Sequence, residues 1–226
     1  MSYYYSNNGE RGGGFMSNVP VVTKNLLIIN VILFAATFLG ERFFKTNVMG
    51  WLVLYDPHSV LFRLWQPVTY MFMHGGFWHL FMNMYTLYIF GSVVERMIGS
   101  RKFTILYLIS GLGAAAVHLL VMTWMRGAAA PMLGASGAVY GVLIAYAMIF
   151  PNSRISLIFP PISLNAKWMV IIFAVLSLVV GVTGTAEGVA HFAHLGGMIF
   201  GFLVVYFWKK AGRLFDRDNF SAFDHR

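Results

Sequence analysis

The sequence predicts an all-α membrane protein in which six transmembrane helices form one bundle. Hydrophobic residues make up 58% of its 226 positions and charged residues 11%, whereas soluble domains carry about 25% charged residues. The mean hydropathy is +0.69, and the apolar residues are concentrated in six runs separated by short polar segments. Because a helix satisfies its backbone hydrogen bonds internally, such runs are expected to cross a bilayer as helices.

The predicted spans differ in length. They cover residues 25–39, 77–94, 103–124, 136–150, 168–182 and 189–208. The first follows Lys24 as a signal peptide would, but we expect an uncleaved helix, since no clear small-residue cleavage site follows it. The fourth and fifth are short for a hydrocarbon layer about 30 Å thick, which needs about 20 helical residues. A short fourth helix that begins below the membrane surface would leave a water-filled recess above Ser136.

The remaining segments complete the predicted organisation. Residues 1–23 are rich in Tyr, Ser, Asn and Gly and predict a flexible tail, residues 24–210 the membrane domain, and residues 211–226 a second tail. Residues 43–73 are aromatic-rich but are interrupted by Asp56, Pro57 and His58. They are too broken to span and too apolar for a free loop, which favours a position in the membrane interface.

The distribution of positive charge predicts the orientation. If both tails are cytoplasmic, 12 of the 16 lysines and arginines lie on the cytoplasmic side, as the positive-inside rule requires. We expect a multi-pass protein with both termini in the cytoplasm, surrounded by lipid, and we expect its membrane to be a bacterial inner membrane. The net charge of +8 does not indicate nucleic-acid binding, because the positive residues flank apolar runs and form no basic stripe. The chain has no cysteine, which excludes disulfides and thiolate chemistry.

Polar side chains inside predicted spans point to function, because they are costly in hydrocarbon without partners. Ser136 opens the fourth span within Gly134-Ala135-Ser136-Gly137. A serine hydroxyl becomes a useful nucleophile when a neighbouring base takes its proton. The candidate bases are the intramembrane histidines, His79, His118, His191 and His194.

His194 is the favoured base. It shares a helix face with Gly197 and Gly201, and Gly137 and Gly141 form a small-residue pair on the fourth span. Small residues let helix backbones approach closely, which would bring the serine and the imidazole within hydrogen-bond reach. Packing glycines beside a structural histidine remain the alternative interpretation.

Three further residues complete the predicted site. His79 and Asn83 are separated by four residues and therefore project from one helix face. Both side chains can donate hydrogen bonds, which suits an oxyanion hole, although a hydrogen bond that only holds the bundle together is the alternative. Tyr140 lies one turn from Ser136 on the same face, where its ring could support His194 or simply pack in the core.

Other classes of hydrolase do not fit the residues present. The sequence has no H-E-x-x-H zinc motif, no acidic residue at the middle of a span for a two-aspartate mechanism, and no G-x-S-x-G elbow. No acidic third member of a triad is evident. A serine–histidine dyad is the chemistry that these residues favour, and neither metal nor cofactor is expected.

The chain resembles the rhomboid intramembrane serine proteases from about residue 24 to residue 210. The resemblance rests on the segment from His74 to Asn83, on Gly134-Ala135-Ser136-Gly137, and on residues 193–197 with Gly201. It implies a six-helix rhomboid bundle, Ser136 as nucleophile and His194 as base. It further implies that His79 and Asn83 complete the oxyanion hole, and that Tyr140 supports the histidine.

The resemblance also implies the kind of substrate. Family members cut the transmembrane segments of single-span membrane proteins, without a cofactor. Glu95-Arg96 with Gly99-Ser100 matches a structural stretch of the family, whereas Trp65-Gln66 departs from the Trp-Arg of many relatives. A catalytically inactive rhomboid-like protein that binds membrane clients is the first alternative, disfavoured because Ser136 and His194 are both present. A proton-relay transporter is the second, disfavoured because internal repeats and acidic partners are absent.

Overall fold

The structure is a computed structural model that describes residues 17–125, 131–156, 162–183 and 188–215. Most of the predicted tails, residues 1–16 and 216–226, lie outside the described residues. The secondary structure is mainly helical, as predicted. The elements are α1 Val21–Phe44, α2 Val48–Leu52, α3 Gln66–Thr69, α4 Phe77–Thr86, α5 Ser92–Ile98, α6 Ser100–Met125, α7 Ser136–Ile149, β1 Arg154–Ser156, β2 Ser163–Asn165, α8 Ala166–Val182 and α9 Gly188–Lys210.

Three described helices are individually long and apolar enough to cross a membrane. They are α1, α6 and the part of α9 from His191 to Lys210. Helices α7 and α8 are apolar but shorter, and the 14 residues of α7 extend about 21 Å at 1.5 Å per residue. The short fourth helix expected from the sequence is therefore present.

The predicted second span is an interrupted helix. A π-helical turn, Leu87–Gly91, joins α4 to α5, and a 3₁₀ turn, Tyr70–Phe72, precedes α4. Gly99 then ends α5 with a φ of +81°, which favours glycine, and α6 begins at the next residue. The chain thus leaves one helix and enters the next within a single residue.

Helices α6, α7 and α9 meet at the centre of the bundle with small residues between them. A methyl group on Gly137 would lie 2.4 Å from Ala114 of α6, and one on Gly196 would lie 2.8 Å from Val117. Such distances leave no room for a larger side chain. The antiparallel β1–β2 pair, in which Ile155 faces Leu164, connects α7 to α8 at the end of the bundle far from Ser136.

The buried Gln66 organises the loop between α1 and α4. Its Nε2 donates to the carbonyl of Leu61 at 3.0 Å and its Oε1 accepts from the N–H of Tyr55 at 3.3 Å. The side chain is fully buried. Many relatives have Arg at this position. Here the neutral Gln66 side chain forms hydrogen bonds with backbone groups of the loop, because a buried amide can both donate and accept.

A buried carboxylate joins the start of α1 to the α5–α6 junction. Glu95 Oε2 accepts from the N–H and the hydroxyl of Thr23, each at 2.7 Å, and Oε1 accepts from the N–H of Val22 at 2.9 Å and the Ser100 hydroxyl at 2.6 Å. The first N–H groups of a helix have no acceptor within the helix. Glu95 supplies one from another helix, so the structural role implied by the resemblance has a physical basis.

Residues on both sides of the helical bundle pack into the core. Helix α1 begins at Val21, where the Glu95 carboxylate caps it, and Val19 is buried in the core. After α9, Leu214 is also buried in the core.

Replacing Glu95 with Gln should destabilise the protein by about 1.5–3 kcal/mol, because an amide cannot accept at both atoms from the buried donors. Thermal unfolding in detergent measures the change. Glu41→Gln is the matched control, since Glu41 is exposed near the other end of α1. Equal unfolding temperatures for the two variants would contradict the capping role.

Candidate active site

Ser136 is the first residue of α7, and the turn before it determines its position. Gly134 has a φ of +116°, a conformation that favours glycine. Its N–H donates to the carbonyl of Tyr70 at 2.9 Å, and the Tyr70 hydroxyl donates to the carbonyl of Gly111 at 2.7 Å. The buried tyrosine thus connects the turn to α6. Gly134 shapes the site, but its own N–H is already used.

Ser136 and His194 are in contact across two helices. The distance between Ser136 Oγ and His194 Nε2 is 2.9 Å, although the residues are 58 positions apart in sequence. This is hydrogen-bond distance. When Nε2 is unprotonated it can accept the serine proton, so the pair has the geometry that general-base activation requires. The sequence spacing predicts this contact.

Glycine pairs make the contact possible. A methyl group on Gly197 would lie 1.9 Å from the carbonyl oxygen of Gly137, and one on Gly201 would lie 2.7 Å from the Cα of Gly141. Backbone from α7 therefore occupies the space where a side chain on α9 would lie. The close approach expected from the glycine spacing is present in the structure.

Aromatic rings fix the orientation of the His194 imidazole. The Tyr140 ring stacks on it with 4.4 Å between centroids and 17° between planes. His191 contacts it edge-on at 5.6 Å and 86°. His194 Nδ1 is buried and has no hydrogen-bond partner among the described residues. Ring packing therefore orients the imidazole, and the contact with His191 was not evident from sequence because the position could also have faced a neighbouring helix.

His79 lies beside the Ser136 turn. A methyl group on Gly134 would lie 2.6 Å from His79 Nε2 and 3.8 Å from Ser136 Oγ, so both atoms border the same space. His74, which is fully buried, packs edge-on against His79 at 5.0 Å. His79 Nε2 and Ser136 Oγ therefore lie on either side of the space next to Gly134, and His74 packs against the His79 ring.

The structure gives Asn83 a partly different arrangement from the one expected. Asn83 is buried, and its Nδ2 donates to the carbonyl of His79 at 2.9 Å. This bond uses one of the two amide N–H groups within the same helix. The i, i+4 spacing that put both residues on one face also makes this internal bond available, so Asn83 has one N–H left for other partners.

A further histidine, His118, is buried in α6, a helix that carries neither Ser136 nor His194. No group of three potential metal ligands occurs among the residues that the structure describes. His79 borders the same space as Ser136, and Tyr140 and His191 contact the His194 ring.

These features define a helical, multi-pass integral membrane protein with a serine and a histidine in contact inside its bundle. The Rhomboid domain family model matches residues 61–211. The chain therefore belongs to the rhomboid family. The matched region includes the segment from His74 to Asn83, Ser136 and His194.

Curated proteins that are similar in sequence to this chain are also named as rhomboid or rhomboid-like proteins. Rhomboid protein 1, mitochondrial, of Saccharomyces cerevisiae is 35% identical over 141 residues, which are 62% of this chain and 40% of the relative. Rhomboid-like protein 11, chloroplastic, of Arabidopsis thaliana is 31% identical over 192 residues, covering 82% and 64%. Presenilin-associated rhomboid-like protein, mitochondrial, of Mus musculus is 31% identical over 148 residues, covering 62% and 38%. The chain thus spans less than two thirds of the length of these relatives.

The glycine contact can be tested with a single methyl group. Gly197→Ala should separate α7 from α9 and lower about 10²-fold the rate at which a fluorophosphonate labels Ser136, because displacing a reacting group by about 1 Å has that effect. Gly76→Ala is the control, since a methyl group there would meet no atom within 4 Å. Labelling rates of both variants provide the measurement. Similar rates would show that the contact does not position Ser136 and His194.

Proposed function

We propose that this protein is an intramembrane serine endopeptidase that cleaves transmembrane segments of single-span membrane proteins. The observation that carries the proposal is the 2.9 Å contact between Ser136 Oγ and His194 Nε2. The contact lies inside the bundle of a rhomboid-family member, and members of that family are generally serine proteases. An inactive client-binding relative would have no need for this contact, so it is the weaker alternative.

The proposed reaction is acyl transfer in two stages. Ser136 Oγ attacks the scissile carbonyl carbon while His194 Nε2 takes its proton. The tetrahedral intermediate collapses, the peptide C–N bond breaks, and His194 returns the proton to the leaving amine. Water then attacks the acyl-serine ester with His194 again as base, which releases the new carboxyl end and restores the serine. No metal or cofactor takes part.

Stabilisation of the oxyanion is assigned to donors that border the same space. His79 is the principal side chain, because its Nε2 lies beside Gly134 and Ser136. The N–H of Ser136 is a candidate as well, since the first N–H groups of a helix lack intrahelical acceptors. Asn83 is assigned a smaller contribution to oxyanion stabilisation, because one of its N–H groups is bonded to the His79 carbonyl. Tyr140 supports the imidazole by stacking.

We further propose six spans in the family's bundle, formed by α1, the α4–α5 run, α6, α7, α8 and α9. Both termini would be cytoplasmic, with residues 24–210 as the membrane domain and a tail at each end. The structure supports one part of this arrangement: the Arg96 guanidinium donates to the Asn18 carbonyl, so the start of α1 and the end of α5 share one side. A reporter fused after residue 226 tests the orientation, and periplasmic reporter activity would contradict it.

The membrane that holds the protein is a separate proposal. We propose a bacterial inner membrane, with lipid around the bundle. The comparisons lend that location no support, because the three relatives named above are mitochondrial or chloroplastic by name. Fractionation of the source cells would test it, and recovery from an organelle would contradict it.

A cleavage assay tests the proposed chemistry. Ser136→Ala should abolish cleavage of a tagged single-span protein by the purified protein, because no other described group takes the place of the hydroxyl. His79→Ala should lower kcat/KM by up to roughly 10²–10³, the usual effect of removing an oxyanion donor. Gel analysis of the cleavage products gives both results.

The controls separate chemistry from folding. Ser136→Ala should remain folded and lose at most about 1–3 kcal/mol of stability, since it leaves His194 Nε2 without its hydrogen-bond partner. Turnover by this variant at the unmodified rate would end the serine-protease proposal. If His79→Ala lowers the unfolding temperature but leaves kcat/KM unchanged, His79 only holds the bundle together.

A further inference from the structure

The loop between α1 and α4 exposes an unusually apolar surface. Val60 and Leu64 are each 88% exposed. The exposed apolar side chains of this loop surface are Trp51, Val60, Leu61, Leu64, Trp65 and Val68. In a membrane protein, a patch of this kind with two tryptophans is typical of contact with the lipid interface. The loop surface therefore faces lipid.

A cavity opens in this loop surface. Its volume is about 140 Å³, and it is lined by Asn47, Gly50, Trp51, Tyr55, Leu61 and Arg63. A cavity of roughly 150 Å³ accommodates a molecule as large as benzene. The cavity is thus large enough for part of a ligand, and its lining combines aromatic, amide and cationic groups.

The walls of the cavity are held by hydrogen bonds. Trp65 Nε1 donates to the Trp51 carbonyl at 3.0 Å, and Gln66 Nε2 donates to the Leu61 carbonyl at 3.0 Å. The Asn47 side chain accepts from the N–H of Gly50 at 3.0 Å. Both sides of the cavity are therefore fixed before a ligand arrives, which lowers the entropic cost of binding.

Arg63 gives the cavity its charge. Its Nη1 donates to the carbonyls of Val60 and Phe62 at 2.8 and 2.7 Å, and its guanidinium lies 5.9 Å from the Trp51 ring centre. No carboxylate forms an ion pair with it among the described residues. A guanidinium has five N–H donors in a planar fork that matches phosphate. A fixed cation without a protein counter-charge, in a loop that faces lipid, favours an anion from the lipid.

We propose that this cavity binds the phosphate group of a membrane phospholipid, with Arg63 as the anion-binding residue and Trp51 and Leu61 beside the start of the acyl chains. The bound lipid would anchor the loop surface in the leaflet that it meets. Phospholipid phosphates lie at the depth where aromatic belts also lie, so the ligand and the cavity occur at the same level. The proposal depends on the membrane location of the chain and not on its proteolytic activity.

Native mass spectrometry of the full-length chain in maltoside detergent tests the proposal. Dioleoyl phosphatidylglycerol is the probe, and dioleoylglycerol, which lacks the phosphate, is its matched comparison. We expect the phosphatidylglycerol adduct to be retained and the dioleoylglycerol adduct to be lost. Arg63→Gln should weaken the retained adduct on the order of tenfold or more, the effect of losing charge-assisted hydrogen bonds. Arg42→Gln, at an exposed position near the end of α1, should leave it within about twofold.

Two further arms keep the test decisive. Leu61→Trp should fill the cavity and displace the lipid while leaving Arg63 in place, which covers the case in which Arg63→Gln fails to fold. Equal retention by Leu61→Trp and the unmodified chain would overturn the proposal. An equal loss in Arg42→Gln would overturn it as well, because general surface charge would then account for binding. Displacement of the lipid by equimolar inorganic phosphate would instead indicate a free-anion site and would also overturn it.

Discussion

The close approach of α7 and α9 is the constraint on which the site depends. Gly197 packs against the backbone of Gly137, and Gly201 packs against Gly141. Lipid gives helices little hydrophobic reason to associate, so van der Waals packing between small residues supplies much of the attraction. The same glycines that let the helices pack also bring Ser136 and His194 to 2.9 Å. Helix packing and the Ser136–His194 contact therefore have one structural cause.

Two groups of buried polar side chains form hydrogen bonds at opposite ends of the bundle. At one end, Glu95 accepts four hydrogen bonds from Val22, Thr23 and Ser100. At the other, Ser136 and His194 bond to each other beneath the turn that Tyr70 holds. Buried polar groups without partners cost roughly 1–3 kcal/mol each. The first cluster stabilises the fold, whereas the second has the geometry for chemistry.

Some contacts around Ser136 follow from helical periodicity, and others do not. Ser136 at a helix start, the glycine face of α9 and Tyr140 one turn from the serine follow from helical periodicity, which fixes which residues share a face. The bond from Asn83 to the His79 carbonyl was not predictable, because the amide could have donated into the site or to another group of the bundle. The contact of His191 with His194 depends on the rotation of α9, which spacing alone does not determine.

The fold also has features that the apolar runs predict and features that depend on tertiary contacts. The helical regions were predicted from apolar runs, but α1 begins earlier because Glu95, distant in sequence, caps it. The burial of Gln66 was likewise hidden, since its partners, Tyr55, Leu61 and Trp51, are backbone groups of an irregular loop. Capping and loop hydrogen bonds depend on which distant residues the fold brings together. Hydropathy gives no information about those contacts.

We propose that His194 activates the Ser136 hydroxyl across the α7–α9 contact. Reaction of the purified protein with a fluorophosphonate, followed by mass spectrometric mapping of peptides, tests this activation. We expect one adduct, on Ser136, that is lost in His194→Ala and kept in His118→Ala. An adduct that persists at the same rate in His194→Ala, or a Ser136 that never reacts in a folded protein, would contradict it.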